Sequence, residues 1–480
     1  MMMTTLAQVH TMLPGSRLLN VSDEAARVIA LSRVGTDSRQ IDAGELFIAL
    51  SGKRFDAHDF LVDVAKSGAG AALVSSAEKC PGNLPAVCVA DTRISLGDLA
   101  KAWRANHEIP LALVTGSNGK TTVKEMIASI FKVAAGETHT LVTKGNLNNE
   151  IGLPLTLLKL RSTDRLAVVE LGMNHPGETA QLAAIAQANI ALINNAQREH
   201  QEFMATVAAV AEEHADVIRA LPKDGIAVFP ADSEFTSVWR VAAGVRKVID
   251  FAVLSAQADT NASVRGRLLN NGLVEVITDM GSVEIQLNTL GSHNVRNALA
   301  ASAVALAAGL SLEKIKQGLE AFAPVNGRMQ PKKIHPNYTL IDDSYNANPD
   351  SVRAAIDALK QSGNIAWLIL GDMGEVGHQG PEFHREVGAY AAEQGVTQLF
   401  ALGEQCQFAI QGFDGVVKTN PASKAIHFSN IDSLIAQLRD ALHAQNAGSN
   451  QHLNILVKGS RFMRMERVVQ ALLEEAKTCS

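Results

Sequence analysis

"LALVTGSNGKTTVKEM" (residues 111–126) is the stretch on which the fold turns. Leu111, Ala112, Leu113 and Val114 form a short apolar run suited to a buried strand. Gly116 and Gly119 permit a bend that a Cβ would obstruct. Beyond Lys120, the apolar residues Val123, Met126, Ile127, Ile130 and Phe131 recur at helical spacing and make one face of an amphipathic helix. A glycine loop between strand and helix aims backbone N–H groups and the positive helix end at an anion. Thr115, Gly116, Ser117, Asn118, Gly119, Lys120, Thr121 and Thr122 are therefore candidate phosphate-binding residues of a nucleotide site. Lys120 supplies a point charge for β- and γ-phosphates and is expected to face solvent within the loop, while the Thr121 hydroxyl suits Mg²⁺. Two residues separate Gly116 from Gly119, so the loop is a short variant of the usual P-loop. The plain alternative is a glycine turn capping a structural helix; the Lys-Thr pair argues against it.

Composition bounds the rest. A chain of 480 residues is expected to hold about three domains. At 47% apolar and 19% charged it can bury large cores. A net charge of −6 argues against a nucleic-acid partner, so any anionic ligand must be met by local basic residues. Cys80, Cys88, Cys406 and Cys479 are scattered and form no C-x-x-C pair, as expected of free thiols in a reducing compartment. The N-terminus lacks a continuous apolar signal core. The Ala-rich stretch 297–310 is too short to span a bilayer and suits a buried helix. These features place the chain in the cytoplasm, with no membrane insertion and no obligate protein partner evident.

Three blocks follow along the chain, with expected boundaries at 1–108, 109–324 and 325–480. The first mixes short strand-like runs such as "GELFIAL" and "GAALVSS" with turns. The second alternates strands and helices through "RLAVVELGM", "IALINNA" and "GIAVFPAD". The Pro-, Asn- and Gly-bearing "APVNGR" (residues 323–328) reads as a linker. The third alternates again, through "YTLIDDSY", "IAWLILGD", "LFALG" and "NILVKGS". Such alternation predicts α/β units with parallel sheets and ligand sites at the carboxyl ends of their strands.

Several side chains cluster at those predicted strand ends. Glu170 closes "LAVVE", well placed for a Mg²⁺ on a bound nucleotide or for a plain surface role. "TKGNLNNEIGLP" offers Asn146, Asn148 and Asn149 to phosphate, sugar or peptide groups, or to a turn. His200 is a candidate second metal ligand, although a lone histidine is more often structural. In "DDSYNANPDSV", Asn348 can cap a helix and Pro349 fits its first position. Capping does not account for Asp343, Tyr345 and Asn346. "LGDMGEVG" and "LVKGSR" add Asp372, Lys458 and Arg461 along one sheet edge, as a second ligand-binding face.

The ordered set "TGSNGKTT", "GNLNNEIGLP", "ELGMNHPGE", "GSHNVRNALAA", "NGR", "DDSYNANP", "LGDMGEVG" and "LVKGSR" resembles the Mur ligases over nearly the whole chain. "TDSRQIDAGELFIALSGKRFDAHDF" (residues 36–60) looks like that family's UDP-binding segment. The resemblance implies a UDP-binding α/β domain, a central P-loop domain with a parallel sheet, and a C-terminal Rossmann-like domain. It also implies an ATP- and Mg²⁺-dependent amide ligase that joins D-alanyl-D-alanine to UDP-MurNAc-tripeptide through an acyl phosphate. By position in the motifs, Lys120, Glu170 and His200 would be catalytic. Thr121 and Glu170 would hold Mg²⁺ and His200 a second ion. Asn294 and Asn297 would contact adenine, Arg328 the phosphates, and Asp343, Tyr345 and Asn346 the nucleotide from the C-terminal side. Ser38 and Arg39 would hold the uridine nucleotide. Asn146, Asn148, Asn149, Glu150, Lys458 and Arg461 would meet the remaining substrate groups.

The chain departs from this pattern twice. Gly374 stands where the family more often has a bulkier residue. Many Mur ligases also carry a carbamoylated lysine that helps to hold the second Mg²⁺; the register here puts His214 at that place, flanked by Glu212, Glu213 and Asp216. Between Lys144 and Lys223 the only lysine is Lys159, so no carbamate can form there. A nearby carboxylate, a water or His214 through a water is the expected substitute; otherwise His214 merely faces solvent on an acidic helix. Two rival readings stand beside this one: a sibling ligase such as another Mur enzyme or a folylpolyglutamate synthetase, and a P-loop ATPase that only switches conformation.

Overall fold

Residues 3–52, 55–199, 201–204, 206–254, 261–289, 291–361, 364–417, 423–448 and 451–478 are described by the computed structural model. The apolar run that opens the glycine loop becomes the strand Leu111–Thr115, fourth in a six-stranded, all-parallel sheet. The strand order is Lys247–Val248, Ile226–Val228, Ile190–Ile193, Leu111–Thr115, Leu166–Glu170, Thr140–Val142. Side chains alternate across it, as the pleat requires. Ala112, Val114 and Val168 face the helix Lys120–Ala135, whose Val123, Met126, Ile127, Ile130 and Phe131 complete that core. Leu111, Leu113 and Val169 face the other way.

That second core does not stop at the central sheet. It runs without a break into the first unit, taking in Leu6, Val9, Leu46, Ile48 and Leu96. The first unit's five-stranded sheet is ordered Arg17–Leu19, Ala86–Cys88, Ala71–Val74, Leu46–Ile48, Val34–Gly35, with only the first pair antiparallel. The C-terminal unit keeps cores of its own on the two faces of a further six-stranded sheet. Its order is Gln330–His335, Tyr338–Asp343, Leu453–Lys458, Ile365–Gly371, Gln398–Leu402, Lys424–Phe428, and only the first hairpin is antiparallel. The expected parallel α/β architecture is present in all three units. The Ala-rich stretch forms most of the helix Ser292–Ala307, buried as expected.

One element departs from the expected alternation. After the parallel sheet, Phe251–Val253, Val264–Leu268, Val274–Thr278 and Gly281–Ile285 form a separate four-stranded sheet that packs on the helix Ser292–Ala307. Three of its strands are antiparallel neighbours with one wet face, so they carry alternating rather than continuous apolar residues.

Candidate active site

The carboxyl ends of the central and C-terminal sheets face each other across a cleft of about 710 Å³. The glycine loop forms its floor. Gly119 has φ +79°, and a Cβ there would lie 2.7 Å from Asn297 Oδ1 and 2.8 Å from Asn194 Nδ2. Only glycine satisfies both the left-handed backbone and that approach. An asparagine ladder braces the loop from behind: Asn294 accepts from Asn297, which accepts from Asn194, whose amide also donates to Asn118 O. The Ser117 and Asn118 amides donate to Asn195, so they are committed to the protein rather than aimed into the cleft. The helix that starts at Lys120 has no side-chain cap, which leaves its first-turn amides for a ligand.

Lys120 does not face solvent. Its ammonium turns back into the loop, 2.5 Å from Gly116 O, 3.3 Å from Ser117 O and 3.2 Å from Glu199 Oε2. Nor does His214 face solvent on its helix. It is fully buried, with Nδ1 3.1 Å from Thr115 Oγ1 and Nε2 2.9 Å from Glu199 Oε1. The acidic neighbours weighed as substitutes are engaged elsewhere. Glu212 and Asp216 pair with Arg219, and Glu213 accepts the Gly177 and Thr179 amides at the start of the helix Glu178–Ala186. The carboxylate that His214 meets is Glu199.

Glu170 is buried at the end of its strand. Its Oε1 accepts from Asn148 Nδ2 at 2.8 Å and from Thr121 Oγ1 at 3.3 Å. Its Oε2 is buried with no hydrogen-bond partner. A buried carboxylate oxygen left unpartnered beside a hydroxyl offers oxygen donors to a hard divalent cation. His200 lies outside the described residues. Arg328 reaches over from the linker to place Nη2 3.3 Å from Thr121 Oγ1.

The C-terminal wall is organised around one buried ion pair. Lys458 Nζ lies 2.5 Å from Asp343 Oδ2 and donates to Asn346 O, and Asp343 Oδ1 accepts the Met329 amide. Tyr345 is a platform under two guanidiniums, Arg328 at 4.1 Å and Arg461 at 5.7 Å from the ring centroid. Asn348 caps the helix Pro349–Gln361 as its sequence suggests, accepting from Ser351, but its amide also crosses the cleft to Asn118 Oδ1 at 2.9 Å. Beside it Arg198 pairs with Asp350 and Glu386. Burial opposes the charge of Arg198, yet its bonds to these two carboxylates hold its pKa above the ordinary value. At Gly374, an added Cβ would come within 3.0 Å of the Phe462 ring.

Not every candidate converges here. Asp372 is turned to the Gln405 and Cys406 amides at the start of the helix Cys406–Val417 and does not line the cleft. It lies near His384 and Cys406, but His384 Nδ1 bonds Gly380 O and Nε2 accepts the Met373 amide, so the imidazole is committed. Asn146 and Asn149 both border the cleft, and Asn149 also serves its own turn by accepting the Gly152 amide. Glu150 pairs with Arg93 of the first unit. Ser38 and Arg39 lie outside the cleft on a turn of the first unit, where Arg39 holds the Asp37 carboxyl down at about 2. Glu199, Asn194, Asn195 and Arg198 carry the site's geometry without having been singled out from sequence. The strand-end position of "NNAQRE" is the signal that marks them.

Three segments match Mur ligase families: the Mur ligase family catalytic domain over residues 30–109, the Mur ligase middle domain over 114–305, and the Mur ligase glutamate ligase domain over 327–461. A UDP-N-acetylmuramoyl-tripeptide–D-alanyl-D-alanine ligase of Escherichia coli (strain K12) is 39% identical, with 100% of each chain covered. The enzyme of that name from Haemophilus influenzae is 37% identical over 95% of this chain and 96% of its own. A crystal structure of MurF from Acinetobacter baumannii has a TM-score of 0.87 at 33% identity, covering 98% of this chain and 99% of that one.

Proposed function

The chain belongs to the Mur ligase family, and from that premise we infer its reaction. It is an ATP-dependent amide ligase that adds D-alanyl-D-alanine to UDP-N-acetylmuramoyl-tripeptide, giving the UDP-linked pentapeptide for peptidoglycan synthesis. The observation that carries this reading is the full-length match to ligases of that specificity, on a fold whose cleft gathers a glycine loop, a buried carboxylate and the Asp343–Lys458 pair. The domain limits follow at 1–108, 109–324 and 325–480, and the work is cytoplasmic.

In this reaction the tripeptide carboxylate attacks the γ-phosphorus. A carboxylate O–P bond forms, the bond to the ADP oxygen breaks, and ADP leaves. The amine of the dipeptide then attacks the acyl carbon. A C–N bond forms, the C–O bond to phosphate breaks, and the amine gives up a proton. The uncapped amides of the first helical turn, Lys120 and Arg328 neutralise the phosphates. Thr121 and Glu170 would hold Mg²⁺, and His200 a second ion, and a cation bound there would supply Lewis-acid neutralisation of phosphate charge. The unpartnered Glu170 Oε2 supports this assignment. Asn294 and Asn297 border the adenine, and Asp343, Tyr345 and Asn346 close the nucleotide site. Lys458 and Arg461, with Asn146, Asn148, Asn149 and Glu150, meet the acyl donor and the dipeptide, and Ser38 and Arg39 hold the uridine end.

Phosphate release with each substrate omitted in turn tests the reading. Release is expected only when ATP, UDP-MurNAc-tripeptide and D-alanyl-D-alanine are all present. Equal turnover with free D-alanine in place of the dipeptide would defeat it, and turnover without either peptide would favour a switch ATPase.

A further inference from the structure

Glu199 and His214 have no part in the reaction as set out above, yet both are buried against the phosphate loop, and Glu199 also borders the cleft. With Glu199 ionised, His214 Nε2 carries the proton and donates to Glu199 Oε1, and Nδ1 accepts from the Thr115 hydroxyl. The imidazole thus ties Glu199 to the last residue of the strand that feeds the loop. The other carboxylate oxygen meets the Lys120 ammonium, whose remaining bonds go to Gly116 O and Ser117 O. An ammonium has three protons, and here all three have acceptors within the protein.

We propose that Glu199, fixed by His214, positions Lys120 within the loop and, through its own charge, discriminates against nucleotide arriving without a divalent cation. The inference rests on the nucleotide site proposed above. For Lys120 to reach a phosphate it must leave Glu199, and a buried carboxylate then stands beside phosphate oxygens of the same sign. That arrangement is unfavourable in a low-dielectric site unless a cation offsets it. Metal-bound nucleotide brings the offset with it; free nucleotide does not.

Titration calorimetry of the full-length protein with ADP, in excess EDTA and in excess Mg²⁺, reads the effect directly. In Glu199→Gln the lysine loses its ionic partner. Affinity for metal-free ADP is expected to rise about tenfold, within the ordinary range of coupling between two groups, while affinity for Mg²⁺–ADP changes less. A Glu199→Gln protein with unchanged circular dichroism and unchanged or weaker affinity for metal-free ADP would overturn the proposal. The same substitution in a Lys120→Ala background should raise metal-free affinity at least as much, because the carboxylate there faces the phosphate oxygens with no ammonium beside it. Loss of the rise in that background would show that release of the ammonium, and not the carboxylate's charge, sets the effect, and would also overturn the proposal. If Glu199→Gln does not fold, His214→Gln, which loosens the carboxylate, is expected to raise metal-free affinity in the same direction, and no rise would count against the proposal. Failure of the unaltered protein to bind Mg²⁺–ADP would defeat the nucleotide site itself.

Discussion

Lys120→Ala removes the loop's only ammonium while leaving the Gly119 turn, the asparagine ladder and the helix apolar face in place. Loss of one preorganised charge at a phosphoryl-transfer site costs on the order of 3–4 kcal/mol, so turnover should fall by roughly two to three orders of magnitude. Steady-state phosphate release on protein with an unchanged melting curve checks this, and near-normal turnover would refute the P-loop assignment. Because Lys120 turns inward, the substitution also removes a cation from beside Glu199. A second residue-scale prediction concerns His214. An imidazole seated between Thr115 and Glu199 leaves no amine to take up CO₂, so activity in CO₂-depleted buffer should not respond to added bicarbonate. A clear rescue would show that some other lysine is carbamoylated. The importance of Glu199 was not legible in the sequence, because its ionic partner Lys120 lies 79 residues away and its imidazole partner 15. Composition and local spacing describe what a residue is, and the fold decides what it meets.

At the scale of elements, the helix Pro349–Gln361 links the two walls of the cleft through its first residues. Its N-cap Asn348 both satisfies Ser351 and bonds Asn118 on the opposite unit. Asn348→Ala is expected to cost about 1 kcal/mol of stability from the lost cap. The lost bond to the loop should appear separately, as a several-fold rise in KM for ATP that Asn348→Asp, which caps but cannot donate to Asn118 Oδ1, would share. A cap-only role predicts instead that Asn348→Asp restores KM. The parallel strands were legible because both faces of those sheets are covered. Leu111–Thr115, Leu166–Glu170 and Ile365–Gly371 are accordingly near-continuous apolar runs. The sheet from Phe251 to Ile285 makes no unbroken apolar run in the sequence because one of its faces is wet. Its signal is the alternation of Val274, Val276 and Thr278 with Glu275 and Ile277, which a search for unbroken apolar runs does not register. The asparagine ladder was illegible for a different reason: Asn194 and Asn297 sit 103 residues apart and look, one at a time, like ordinary turn and helix residues.

The whole molecule is joined in two different ways. The first unit shares one apolar core with the central sheet, and Trp103 adds a bond to Leu160 O across that junction. The C-terminal unit has its own cores and meets the central unit largely through polar groups, chiefly Arg198 with Asp350 and Glu386, and Asn118 with Asn348. Polar contacts can be exchanged for water at small cost, whereas splitting an apolar core exposes it. The C-terminal unit should therefore be the part that opens, hinged at residues 323–328, with Arg198 as its latch. Hydrogen bonds from Arg198 are the main cause holding Glu386 below its ordinary value of 4.5, so the latch is fully made above that value and is lost only as pH falls through the depressed one. Closure should accordingly be independent of pH between about 6 and 8. Arg198→Ala removes two charge-assisted pairs, each side chain partly exposed, and should shift the open–closed balance by about 1–2 kcal/mol, roughly tenfold. Small-angle scattering at neutral pH should show a larger radius of gyration for Arg198→Ala than for the unaltered protein. Saturating ADP, Mg²⁺ and UDP-MurNAc-tripeptide should bring the two closer together. Identical scattering of the two proteins without ligands would mean that Arg198 does not govern closure, and expansion that tracks exposure of Trp103 fluorescence would place the hinge at the first unit instead.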